Sequence, residues 1–147
     1  MRIFYSDHFT VPLPAGHRFP MEKYALLRSR VRSSLPGAGE ALSVPPPATD
    51  SQLATVHTDE YLEKVKTGHL APLEVRRMGF PWSRPLVERS RRSVGGTLAA
   101  GRRALADGVA VNLSGGTHHA FPDRGEGFCV FNDVAVAVRV LSREKAA

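Results

Sequence analysis

The stretch Val109–Asp133, VAVNLSGGTHHAFPDRGEGFCVFND, decides the fold. Its first five residues, Val109 to Leu113, form a nearly continuous β-favouring apolar run, the pattern of a strand covered on both faces. Beyond the quoted stretch, DVAVAVRVLSREKAA reads as a helix capped by Asn132 or Asp133. Strand, loop and helix in that order make the first part of a βαβ unit, whose parallel partner strand comes next. No such run follows in the sequence. The fold expected is therefore α/β, three layers with a mainly parallel sheet, incomplete within residues 1–147.

Working outward, Arg2 to Tyr5 reads as an opening strand, followed by a long proline-broken loop of the kind that often carries function. Helical spacing runs from Met21 to Ser34 through Met21, Tyr24, Leu27 and Val31. Thr49 or Asp50 and then Thr58 cap two short helices, and Gly68 stops the second. A long helix fills the span up to Gly108, with Leu86, Val94, Leu98 and Leu105 as core contacts; Gly95, Gly96 and Gly101 in it point to a closely packed neighbour. Only two strands are evident in this reading.

The totals narrow the function classes. A chain of 147 residues, 42% of them hydrophobic, holds one globular domain or a piece of one. Cys129 is the single cysteine, which excludes an internal disulfide and a cysteine-rich zinc module and fits a reducing compartment. No signal peptide or membrane-spanning run is present, so a cytoplasmic protein is expected. The formal charge of +6 would suit nucleic acid, but the arginines are spread over helical segments and not gathered beside aromatic stacking residues, and the run from Arg76 to Arg103 reads as a solvated helix face. Nucleic acid is thus disfavoured as a partner.

The chemistry concentrates in the loop. In open α/β sheets the functional crevice lies beyond the carboxyl ends of the strands. Gly115 and Gly116 let the chain turn there, which aims His118 and His119 at a site. Imidazole titrates near neutrality, so two adjacent rings can divide the duties of acid and base. As a bare dipeptide, the pair is equally compatible with a solvated loop.

The segment GGTHHAFPDRGEGFCVFNDVAVA resembles the active-site signature of the zinc-dependent histone deacetylase superfamily, which includes acetoin-utilisation proteins and acetylpolyamine amidohydrolases. IFYSDHF, HRFPMEKY, VHTDEYLEKV and VGGTLAAGRRAL are similar to earlier blocks of that family, in particular its bacterial, class IV-like branch. The resemblance implies an arginase/deacetylase-like fold, of which residues 1–147 would be the N-terminal portion of a single deacetylase domain. It also implies that His119 is the general base and His118 its electrostatic or acid partner, both catalytic. Gly127 and Phe128 correspond to the substrate-binding wall of a tunnel for an acylated lysine chain, and Cys129 stands beside that wall without binding metal.

The same resemblance implies Zn2+ as cofactor. Its ligands, an Asp-x-His pair and a further aspartate, are expected C-terminal to residue 147, together with a carbonyl-polarising tyrosine. No metal ligand is assigned within the chain, and the isolated chain is expected to be inactive. The substrate class is an acetylated lysine protein or an acetylated small amine such as a polyamine. An acidic rim residue of some relatives has no counterpart, since the stretch reads GFPWSRP. The competing reading is a non-catalytic basic protein that binds nucleic acid or an acidic partner. His17 reads as a surface residue near the rim, Lys23 falls near a basic family position, and Asp59 reads as part of a helix cap.

Overall fold

The computed structural model describes residues 1–146. Three short strands, β1 (Arg2–Phe4), β2 (Leu42–Ser43) and β3 (Ala110–Asn112), form an all-parallel sheet in the order β2-β1-β3. The helices are α1 (Lys23–Ser34), α2 (Ala38–Ala41), α3 (Asp50–Leu53), α4 (Asp59–Thr67), α5 (Pro72–Met78), α6 (Arg84–Asp107) and α7 (Asp133–Ala146). In the ladder, Ile3 pairs with Leu42 on one side and with Val111 on the other. The α/β class and the parallel sheet agree with the sequence reading.

Three elements are additions to that reading, the first being α2, a single turn that begins within the PGAG stretch after α1. β2 is a third strand, only two residues long, and its neighbouring prolines mask it. α5 is a helix of seven residues that starts on Pro72, takes a bond from the Ala71 N–H to Glu74 at 2.7 Å, and ends on Gly79 at φ +85°. Its punctuation was all present in the sequence.

Among the described residues β3 pairs with β1 alone, and one of its faces packs on α6. Asn112 points toward α6 and donates to the Ser93 carbonyl and Thr97 Oγ1, both at 2.9 Å. Alternation sends Val111 to the opposite face, where it stays 38% exposed. β1 lies between two partners, and Ile3, in register with Val111, is buried.

α6 organises the molecule, crossing β1 and β3 and packing lengthwise on α7. Leu86, Val94 and Leu98 enter the core as expected, but Leu105 is 65% exposed. The glycine expectation holds. A Cβ at Gly96 would sit 2.8 Å from the Asn112 amide, and one at Gly101 would sit 2.5 Å from Leu141. The core joins Leu53, Tyr61, Val65, Met78, Val94 and Val136 into one cluster. α1 contributes no buried residue, so its helical spacing marks a surface element. No helix among the described residues is long and apolar enough to cross a membrane.

Candidate active-site loop

The chain between β3 and α7 has no regular structure of its own, yet both of its ends are tied down. Asn132 is the helix cap, since its Oδ1 accepts the Ala135 N–H at 3.0 Å. Its amide also donates to the carbonyls of His118 (3.1 Å) and Ala120 (3.0 Å). Asp133, 0% exposed, does a different job. Its carboxylate accepts the Gly116 N–H at 2.9 Å, the Thr117 N–H at 2.7 Å and the Thr97 hydroxyl at 2.6 Å. Thr117 in turn donates to the Phe131 carbonyl at 2.7 Å. The two residues before the histidine pair are thereby fixed to the first residue of α7.

On this frame His118 and His119 stand exposed, their ring centroids 4.3 Å apart and their planes tilted by 39°. His118 Nδ1 lies 3.1 Å from the Gly116 carbonyl, which accepts its proton and orients the ring. The ring of His119 makes no such bond among the described residues, and the residue is exposed. A Cβ placed at Gly127 would come within 3.2 Å of His119 Cγ. Glycine is therefore the residue that lets the loop close against that ring.

Gly127 and Phe128 form the tip of a small two-stranded turn, with Glu126 and Cys129 paired across it. Both tip residues have positive φ, +57° and +65°, and Phe128 is the only non-glycine residue in that region among those described. α5 holds the strained tip in place: Gly127 donates to the Arg77 carbonyl at 3.1 Å and Phe128 to the Met78 carbonyl at 2.9 Å. The Phe128 ring leaves the histidines and joins Phe19 (5.3 Å), Phe80 (5.4 Å) and His17 (6.0 Å). Thus His118, His119 and Gly127 come together, and the Phe128 ring packs on the far side of the turn.

His17 corrects the surface expectation. It is half-buried, stacks on Phe80, and bonds through Nε2 to the Gly79 carbonyl at 3.0 Å. Lys23 lies over the rings of Phe19 and Tyr24, and Asp59 follows Thr58, whose hydroxyl is the actual cap of α4. Cys129 is buried, and burial pushes its thiol above the ordinary value, which makes it a poor nucleophile. Arg89, also buried, rests over the Tyr24 ring at 4.0 Å beside a cavity of about 30 Å³ that Ser114 and Thr117 share.

One supporting histidine has no signal in the sequence by spacing. His57 is buried, and its Nε2 accepts the Asn132 N–H at 3.0 Å across 75 residues of chain. The ring proton is thus on Nδ1, on the side of the Phe121 and Pro122 carbonyls but without a well-formed hydrogen bond. Burial lowers the pKa of His57, with the Pro122 and Phe121 carbonyls pulling less strongly the other way. A histidine whose folded-state pKa is depressed contributes stability that is complete above about pH 6.5, its unfolded value, and is lost as pH falls below that. Denaturant midpoints measured from pH 7.5 to 5 are expected to fall for the natural chain and to flatten in His57→Gln. An unchanged slope in the variant would assign the acid sensitivity elsewhere.

A profile of the histone deacetylase domain matches residues 17–147. The chain belongs to the histone deacetylase domain family. An uncharacterized protein of Picosynechococcus sp. is 38% identical to it over 141 residues, which cover 96% of this chain and 47% of that protein. The acetoin utilization protein AcuC of Bacillus subtilis is 36% identical over 110 residues, 68% of this chain and 28% of its own length. Among solved structures, an HDAC homolog from Aquifex aeolicus superposes with a TM-score of 0.73 at 24% identity, covering 97% of this chain and 41% of that one. The HDA15 HD domain gives a TM-score of 0.77 at 17% identity, with 97% and 43% covered. These structural likenesses speak to the fold. This deacetylase-family chain spans about half the length of the Picosynechococcus relative and less of the others.

The family resemblance implies zinc, and the residues described here do not supply a site for it. No group of three or more His, Cys, Asp or Glu side chains among them could hold a metal ion. His118 and His119 project side by side from one loop, and no carboxylate converges on them.

Proposed function

We propose that this chain is the N-terminal portion of a deacylase domain and supplies the general-base pair and one wall of the acyl-lysine tunnel. The observation that carries the reading is the convergence of three signature residues: the exposed His118–His119 pair with Gly127 closed against the His119 ring. The reaction is hydrolysis of an amide. Water adds to the acyl carbonyl, the C–N bond breaks, and a carboxylic acid and an amine leave. His119, whose nitrogens are uncommitted, accepts the proton of the attacking water. His118, oriented by the Gly116 carbonyl, supports the charge that develops beside it. In this reading the Gly127 backbone meets the substrate amide, and Phe128, turned toward His17, Phe19 and Phe80, bounds the far side of the same turn. Metal ligands belong, in this reading, to residues beyond Ala147, and no role in holding the ion falls to the residues described.

The reading as a basic binding protein loses support from the same structure. On α6, Arg91 pairs with Asp50, Arg92 with Glu88, Arg102 with Glu144 and Arg103 with Asp107, while Arg89 is buried. That helix therefore offers few free cations to a polyanion.

The test is zinc content and hydrolysis of an acetyl-lysine peptide in a protein that carries the whole domain. His119→Ala is expected to lower kcat by about 10²- to 10⁴-fold with little change in KM, the range for loss of a general base. Turnover retained in that variant would overturn the base assignment. Absence of amide hydrolysis in the zinc-loaded parent would overturn the function.

A further inference from the structure

The turn that carries Phe128 also borders a groove of about 430 Å³ on the outer surface, along His17, Arg18, Arg76, Phe80, Pro81 and Phe128. Its floor is aromatic and held in place. His17 stacks on Phe80 and is fixed to the Gly79 carbonyl, and Gly79 itself lies so close to Phe128 that a Cβ there would be 2.9 Å from the ring. Its charge is of one sign. Arg18 and Arg76 are exposed and line the groove, and no carboxylate lines it with them. Neither arginine belongs to an ion pair among the described residues, in contrast to the paired arginines of α6. The Arg18 guanidinium carbon lies 5.9 Å from the centre of the Phe128 ring, and both residues line the groove.

We propose that this groove binds the peptide residues flanking the acylated lysine and selects a peptide that carries a carboxylate next to that lysine. The inference rests on the deacylase reading and names the substrate class of that site. An arginine fork binds a carboxylate through two parallel N–H···O bonds, and an aromatic floor that excludes water on one side strengthens them. Two unpaired guanidinium groups at the rim repel a cationic chain, so an acetylated polyamine is the wrong partner for the same reason that an acidic peptide is the right one. The chain has no acidic residue at this rim to reverse that preference.

Three dye-labelled acetyl-lysine peptides, identical except for glutamate, glutamine or arginine on both sides of the acetyl-lysine, test the groove by fluorescence anisotropy with the 147-residue chain. The glutamate peptide is expected to bind roughly three- to ten-fold more tightly than the glutamine one, with the advantage shrinking as salt rises. The double variant Arg18→Ala/Arg76→Ala is expected to bring the two within about twofold. Arg30→Ala/Arg32→Ala, on the exposed face of α1, is expected to leave the preference intact. Equal affinities, no binding of any peptide, or a preference that survives loss of Arg18 and Arg76 would overturn the proposal, the last by assigning it to net charge. Turnover of the glutamine peptide by the protein with the whole domain separates the two failures. Hydrolysis without a charge preference sinks the groove alone, and a preference without hydrolysis of any peptide sinks the deacylase reading while the groove stands as a binding site.

Discussion

Gly95→Ala is expected to destabilise the chain strongly. The added methyl would lie 1.9 Å from the Pro46 carbonyl oxygen, inside the closest approach of any two such atoms. The obstacle is backbone, and it cannot rotate away. Pro45, Pro46 and Pro47 form a stiff connector that is also bonded to α6, through Arg92 to the Pro45 carbonyl at 2.8 Å and through the Ala48 N–H to the Arg91 carbonyl at 3.0 Å. Separating helix and connector would break those bonds and open the core next to Val94, which is fully buried. Overpacking of this kind costs about 3 kcal/mol or more, a large part of what a domain of this size has in hand. Gly101→Ala supplies the contrast, because its methyl meets only the end of Leu141, a side chain able to change rotamer. There the gain in helix propensity, about 1 kcal/mol, offsets most of the strain. Urea denaturation of the two variants checks the difference, and equal midpoints would show that the connector yields.

That contrast shows which parts of the fold were readable from the sequence. Three glycines in one helix announce a close neighbour, but not which neighbour. The caps Thr49 and Thr58 and the stop at Gly68 were legible because each acts within four residues of itself. β2 was not legible, since two residues carry no periodicity and their pairing with β1 is forty residues distant in sequence. β3 was legible as a strand from its own apolar run, whereas its pairing with β1 among the described residues joins segments far apart in sequence. Leu105 fits the helical stripe and is nonetheless exposed.

The histidine pair, Gly127 and Phe128 were legible as a motif, since their order along the chain is itself the signal. Their support was not. Arg77 and Met78 hold the Gly127–Phe128 turn through backbone carbonyls, and a carbonyl is the same in every residue type. His57 is connected to Asn132 by folding alone. Asn132 and Asp133 looked like two alternatives for one cap, yet the first caps α7 and the second anchors the loop. A sequence shows that two polar residues lie at a helix start; it does not show that one of them faces back into the protein.

Asp133 is therefore the residue at which fold and site meet, and Asp133→Asn isolates its role. Asparagine keeps the volume but replaces one acceptor oxygen with an N–H2 donor. Oδ2 now accepts from both Gly116 N–H and Thr97 Oγ1, and Oδ1 accepts from Thr117 N–H. Whichever way the amide turns, at least one buried donor faces another donor. A charge-assisted bond contributes about 1.5–3 kcal/mol and an orphaned buried donor costs about 1–3 kcal/mol, so a loss near 3–5 kcal/mol is expected. Because Gly116 and Thr117 immediately precede the histidines, the loop is expected to loosen before the core does. Hydrogen exchange should then quicken first at the Gly116 and Thr117 amides, while Val94 and Val136 in the core remain protected under mild conditions. Asp133→Ala, which leaves all three donors without any partner, is expected to lose more still. If Asp133→Asn matched the parent both in urea midpoint and in exchange at Gly116 and Thr117, the carboxylate would not be what positions the pair, and the backbone turn at Gly116, with its φ of +88°, would have to do so unaided.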